Sequence, residues 1–234
     1  ILQGDIFRQI SDSNRTRTHV VIPNRGVIFD RNGVTLAWNT PTFHLVANRK
    51  DISEDPIERT KQFIQIANQF GVTSDDFEAR YNTYSSDETV LLVDNVPYEK
   101  AISFLATIRE DASLSIELAS TRSYLTKDIP TLSHVLGYSG AIADEQYNEL
   151  KALGYRRFDD IGKQGIEAQY EAELRGVPGI EVIEVDAQGR VQRQLEKTNT
   201  IDGTDLTLSI DARLTAAVER ILSSRLESAE VKRS

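Results

Sequence analysis

The sequence predicts an α+β chain in which a strand-rich body is interrupted by a lobe of helices and strands. Three observations carry this. Val27, Phe29, Val34 and Leu36 alternate with other residues on either side of Asn32-Gly33, a strong hairpin signal. From about residue 50 the apolar spacing becomes helical, with Ile57, Phe63, Ile64, Ala67 and Phe70 after Asp55-Pro56. After about residue 155 strand spacing returns, in Ile180 to Val185, Val191 to Leu195 and Thr204 to Ile210. The expected layout is a body in residues 1–49 and 155–210, an inserted lobe in 50–154, and a closing helix in 211–234. Insertion at a surface loop is physically easy, because the ends of a host loop lie close together.

The elements follow in order. Ile1 to Ile10 reads as a short helix or extended lead-in, followed by a wet tail from Ser11 to Thr18. His19 to Ile22 is a strand ended by Pro23-Asn24, and Thr42 to Asn48 is another, with Phe43, Leu45 and Ala47 on one face. Pro56 starts a helix that Gly71 stops, and Ser74 caps a second through Tyr81. Thr89 to Val93 reads as a buried strand, Pro97 opens a third helix, and Leu114, Ile116 and Leu118 alternate as a strand. Short helices follow from Pro130 to Gly137 and from Asp144 to Gly154. Gly165 to Leu174 reads as one helix with Ile166, Tyr170 and Leu174 inward and Gly176 as its stop. Ile180 to Val185 pairs with Val191 to Leu195 across Asp186-Ala187-Gln188-Gly189. Asp211 caps an amphipathic helix carrying Leu214, Val218, Ile221, Leu222 and Leu226.

The totals bound the possibilities. A chain of 234 residues can bury about 70% of its unfolded surface without a disulfide or metal staple. Its 39% hydrophobic and 27% charged residues are ordinary for a globular protein. A net charge of −9 argues against a general nucleic-acid binder. With no cysteine there is no disulfide, thiol catalysis or common zinc site. No apolar run reaches the length of a membrane span. The chain starts at Ile1 and holds no methionine, so it reads as a fragment or a processed product.

The side chains that carry chemistry form no familiar set. His19, His44 and His134 share no ligand spacing. Asp75-Asp76 and Asp159-Asp160 are adjacent carboxylates of the kind that usually line a solvated face, and Asp94 and Glu117 have no evident partner. Gly137-Tyr138-Ser139-Gly140 falls short of a nucleophile elbow because Ala141 stands where glycine is needed. Gly162-Lys163-Gln164-Gly165 is half a phosphate loop and reads as a loop entering a helix at Ile166.

Arg25-Gly26-Val27-Ile28-Phe29-Asp30-Arg31-Asn32-Gly33 with Leu36-Ala37 resembles the first motif of the non-catalytic module of class B penicillin-binding proteins. On physics alone it is a hairpin with a surface salt-bridge network. Arg122-Ser123-Tyr124 with His134-Val135-Leu136-Gly137-Tyr138-Ser139-Gly140 is similar to the second motif. Gly162 to Glu167, with Tyr170-Glu171, Leu174-Arg175-Gly176 and Pro178-Gly179, is similar to the third. Val185-Asp186-Ala187-Gln188-Gly189-Arg190 and Gly203 to Asp211 continue the match. The set looks most like the elongation type, penicillin-binding protein 2.

The resemblance implies an elongated, strand-rich anchor or pedestal with an inserted α/β head. It further implies an N-terminal membrane helix before Ile1, a place on the outer face of the bacterial cytoplasmic membrane, and a following serine D,D-transpeptidase that cross-links peptidoglycan. A rod-shape scaffold protein and a glycan polymerase are the implied partners, beside the chain's own transpeptidase domain. No cofactor, metal or nucleic acid is implied. The sequence contains no S-x-x-K, S-x-N or K-T-G, so the fragment itself is expected to be non-catalytic.

The residues singled out are therefore architectural: Arg25, Gly26, Asp30, Arg31, Gly33, Arg122, Tyr124, His134, Gly137, Tyr138, Gly162, Gly165, Glu167 and Gly176. Arg25, Asp30 and Arg31 are expected to lock the hairpin to neighbouring strands, with Glu167 as the ionic partner. Two readings from other classes stay open. One is a carbohydrate hydrolase, which would need two carboxyls about 5–10 Å apart in a cleft. The other is a cell-surface binding module.

Overall fold

The computed structural model describes residues 16–84, 87–107, 114–185 and 191–230. The lead-in Ile1 to Ile10, the turn Asp186 to Gly189 and the end of the chain after Glu230 lie outside the described residues. The chain runs β1 (Thr16–Val21), β2 (Ile28–Phe29), β3 (Thr35–Asn48), α1 (Pro56–Phe70), α2 (Ser74–Thr83), β4 (Thr89–Val96), α3 (Tyr98–Thr107) and β5 (Leu114–Tyr124). It continues with α4 (Ser133–Leu136), β6 (Tyr138–Ala141), α5 (Asp144–Lys151), β7 (Asp160–Gln164), α6 (Gly165–Gln169), α7 (Glu171–Arg175), β8 (Gly179–Val185), β9 (Val191–Thr198), β10 (Leu206–Thr207) and α8 (Ala212–Glu230). The α+β class is as the sequence predicts.

The chain divides into two compact units: residues 1–22, 41–121 and 178–200 form one, and 23–40, 122–177 and 201–234 the other. The border falls inside β3 and inside β5.

The first unit holds the antiparallel sheet β1-β8-β9 and a helix-covered core. Asp55 caps α1 by accepting from Ile57 N at 2.9 Å, and Gly71 ends it in the left-handed conformation. Thr73, not Ser74, caps α2, because Thr73 and Asp76 form a reciprocal capping box. Phe63, Phe77, Tyr81, Val90, Leu92 and Phe104 fill the core, with Phe63 edge-on to Phe77 at 5.6 Å between ring centroids. Asp94 does have a partner, His44 Nε2 at 2.9 Å. β1 begins at Thr16, inside the stretch the sequence reads as a wet tail, because Thr16 to Val21 pair rung by rung with Glu184 to Gly179.

The second unit is built on the Asn32-Gly33 turn. Gly33 N donates to Asp30 O at 3.1 Å and Asp30 N to Val34 O at 2.9 Å, with Gly33 at φ +80°. Asn32 keeps a negative φ, so the turn is a three-residue loop with a left-handed glycine rather than the two-residue turn that dipeptide favours. β10 joins β2 in parallel, and the ladder extends through Leu206 N to Val27 O, Leu208 N to Phe29 O and Arg31 N to Ile210 O. Ile28, Leu36, Leu132, Leu136 and Leu174 form the core, against which Leu206, Leu208 and Ile210 pack.

Several elements depart from the sequence reading. β3 is one 14-residue strand that passes through an exposed Pro41, where two strands were expected. Gly162 to Gln164 belong to β7 and are not a loop. The helix expected over Gly165 to Leu174 breaks at Tyr170, whose φ of −113° and ψ of 28° are not helical. Leu174 is inward, but Tyr170 is 38% exposed and Glu167 is fully buried. The apolar face of α8 is not covered: Leu214, Val218, Ile221, Leu222 and Leu226 are exposed, and Ala212 and Ala216 make its core contacts.

Candidate functional site

The second unit gathers three charged side chains around Glu167. Arg25 reaches it with Nε to Oε2 at 2.8 Å and Nη2 to Oε2 at 2.6 Å. Arg122 reaches its other oxygen, Nε to Oε1 at 2.8 Å. Arg25 Nη2 also donates to Glu171 Oε2 at 2.6 Å. A buried carboxylate is tolerated only when its lone pairs are satisfied, and here two guanidinium groups from separate motifs do so. This is why a glutamate occupies a position that apolar periodicity assigns to the surface.

Neutral groups complete the cluster. Asn39 accepts from Arg122 Nη1 at 2.9 Å and donates to Arg25 O at 2.5 Å. Gly162 N donates to Glu171 Oε2 at 2.8 Å and the Tyr155 hydroxyl to Glu171 Oε1 at 2.9 Å. Arg175 stacks over the Tyr155 ring at 3.3 Å. Burial, and then the Glu171 carboxylate, push the Tyr155 phenol up to about 12. Burial works against the Arg25 charge, but its bond to Glu171 and the two carboxylates outweigh this and raise Arg25 above its ordinary value. Arg122 Nη2 is buried with no hydrogen-bond partner among the described residues.

Asp30 forms a second cluster and is also fully buried. Its Oδ1 accepts from Asn32 N at 2.7 Å and Val34 N at 2.8 Å, and its Oδ2 from Ala212 N at 3.0 Å. The expectation that Asp30 ties the hairpin to a strand is corrected here: it caps the hairpin's own loop and the first amide of α8, where the helix dipole favours an anion. The Ala212 bond, then those from Val34 and Asn32, hold its carboxyl below the usual range. Asp211 accepts from Leu214 N at 3.0 Å and from Asn32 Nδ2 at 3.0 Å. The Leu214 bond, then Asn32, with a smaller contribution from the Arg31 charge, hold Asp211 low as well. Arg31 is exposed; its charge acts on Asp211 just before α8, while its backbone N continues the β10 ladder at Ile210 O.

The remaining motif residues are placed as follows. Tyr124 OH accepts from Ser139 N at 2.8 Å and joins β5 to β6. Gly137 and Gly165 lie back to back, both at positive φ, and a Cβ on Gly137 would sit 1.8 Å from Gln164 O. Gly26 N donates to Leu174 O at 2.8 Å, Gly33 closes the hairpin loop, and Gly176 follows α7. His134 and Tyr138 are exposed and stand apart from both clusters. Glu171, Asn39 and Tyr155 were not singled out as site residues in the sequence. Of these only Glu171 carries a signal, as part of the third motif's Tyr170-Glu171.

The clusters suit cross-linking rather than acid–base chemistry. In the Arg25–Glu167–Arg122–Glu171 group each charge is matched by its opposite. Asp76 is engaged in a helix cap and Asp159 in a pair with Arg156. Among the described residues no group of three or more His, Asp or Glu side chains is placed to hold a metal, and no helix is long and apolar enough to cross a membrane.

The profile of the penicillin-binding protein dimerisation domain matches residues 20–208, which takes in the hairpin, both arginines and Glu167. The chain belongs to the penicillin-binding protein dimerisation domain family. Relatives of this domain include the peptidoglycan D,D-transpeptidase MrdA of Acinetobacter baumannii, 32% identical over 96% of this chain and 33% of that protein. MrdA of Escherichia coli K12 is 28% identical over 93% of this chain and 34% of that protein. The chain thus spans about a third of the length of the curated relatives it matches. Among solved structures, the complex between penicillin-binding protein PBP2 and MreC from Helicobacter pylori aligns with a TM-score of 0.69 and 22% identity, over 89% of this chain and 38% of that one. At that identity the likeness shows a shared fold.

Proposed function

We propose that this dimerisation domain is the non-catalytic pedestal of a membrane-anchored peptidoglycan D,D-transpeptidase of the elongation type. It binds protein partners and positions the catalytic domain outside the cytoplasmic membrane. The observation that carries this reading is the weld at Glu167: the first, second and third motifs each supply a charge to one buried cluster, in a family whose named relatives are D,D-transpeptidases. A rod-shape scaffold protein is the proposed partner, supported by the MreC complex of the structural neighbour, with a glycan polymerase as a second. The layout of body, head lobe at about residues 50–154 and exit helix after residue 210 is part of the proposal, with the head as the partner surface.

The test is deletion of this segment from the parent enzyme in its own bacterium. The account predicts that the shortened enzyme still takes a fluorescent penicillin on its catalytic serine but no longer supports rod growth. Normal rod growth would contradict it.

A further inference from the structure

Asn32-Gly33 is the one Asn-Gly dipeptide in the 234 residues. It stands at an exposed loop tip, and the space around the Gly33 α-carbon is open, with nothing within 4 Å of a Cβ built there. A glycine after asparagine leaves the following peptide nitrogen sterically free to approach the side-chain carbonyl carbon. The Asn32 carboxamide is also engaged: its Nδ2 donates to Asp211 Oδ2 at 3.0 Å while Asp211 Oδ1 accepts from Leu214 N. Its own backbone N donates to the buried Asp30, whose second oxygen holds Ala212 N. Asn32 therefore closes a clasp between the hairpin tip and the first turn of α8, opposite a carboxylate.

We infer that Asn32 is a site of spontaneous deamidation whose product opens this clasp, a slow chemical modification that loosens the start of α8. Gly33 N leaves its bond to Asp30 O, loses its proton to solvent base and attacks Asn32 Cγ. The Cγ–Nδ2 bond breaks, ammonia departs with a proton from water, and a five-membered imide remains. Water then opens the imide at either carbonyl, giving aspartate or isoaspartate. No oxidant or cofactor is needed. The new carboxylate replaces a donor with an anion facing Asp211, beside Asp30, so an attractive contact becomes a like-charge one at the same position.

The experiment incubates the folded chain at mildly alkaline pH. It follows each asparagine by peptide mass spectrometry and the first-turn amides of α8 by hydrogen exchange. Asn32 is expected to convert ahead of every other asparagine, and the converted molecules to lose protection at Ala212 and Leu214 by about fivefold or more. Asn32→Asp should reproduce the loss at neutral pH and recover as the carboxylates are protonated. Asn32→Ser, which removes the donor without adding charge, should lose less and show no such recovery. Conversion of another asparagine first would overturn the site. Equal behaviour of the Asp and Ser variants, or unchanged protection after conversion, would overturn the clasp.

Discussion

Arg25 and Glu167, 142 positions apart in the chain, meet in a side-on fork with Nε and Nη2 of the guanidinium 2.8 and 2.6 Å from one carboxylate oxygen. The other oxygen belongs to Arg122. Removing Glu167 leaves the buried Arg122 without its carboxylate and Arg25 with Glu171 alone, and removing one partner of a buried pair typically costs about 3–5 kcal/mol. Glu167→Ala is therefore expected to lower the unfolding free energy by that amount in urea titration. A loss below about 1 kcal/mol would mean that water or relaxation replaces the cluster.

Acid should loosen the Asp30 clasp. Asp30 and Asp211 both titrate below their ordinary range in the folded chain. The folded state thus holds fewer protons than the unfolded one across that interval, and stability falls as pH drops through the folded values. The contribution is fully present above the ordinary carboxylate range. Thermal melts from neutral to acid pH should slope downward in the parent, and Asp30→Asn should flatten that slope while lowering the neutral-pH melting temperature. An unchanged slope would assign the acid response elsewhere.

How much of this was legible in the sequence depends on where each partner lies. The α1 boundaries were readable because Asp55, Pro56 and Gly71 act within one turn of themselves. The amphipathic pattern of α8 was readable too, but not that its apolar face is exposed, since periodicity says which residues share a face and not what covers it. Asp30 looked like a hairpin charge because its acceptor role at Ala212 spans 182 positions. The break at Tyr170 was hidden for a related reason. Ile166, Tyr170 and Leu174 give a clean helical stripe, yet Glu167 is the residue that goes inward, because two arginines contributed from elsewhere in the chain neutralise it. The Arg25–Glu167 pair was expected from motif resemblance alone. Asn39 carried no signal at all.

The back-to-back glycines should tolerate no side chain. A Cβ on Gly137 would lie 1.8 Å from Gln164 O, and one on Gly165 2.6 Å from Val135 O, each at a positive φ. Backbone strain and overpacking together should cost about 3 kcal/mol or more. Gly137→Ala is expected to lose the dispersed amide spectrum of the second unit. A native-like spectrum with an unchanged melt would show that the two segments can move apart.

In the first unit, Phe63 is 1% exposed and packs on Phe77 and Tyr81. Phe63→Ala should cost about 3–5 kcal/mol in denaturant unfolding. Phe63→Leu, which keeps most of the volume, should cost under half of that. Equal losses would point to the aromatic contacts rather than to the cavity.

The central claim is that this chain is a partner-binding pedestal. The most direct measurement is the affinity of the purified chain for the extracytoplasmic part of the rod-shape scaffold protein from the same bacterium, by biolayer interferometry. The account predicts saturable one-to-one binding at about micromolar strength or tighter, weakened by substitutions on the surface of residues 50–154. Absence of binding at about millimolar concentration, with the chain folded by its amide spectrum, would contradict it.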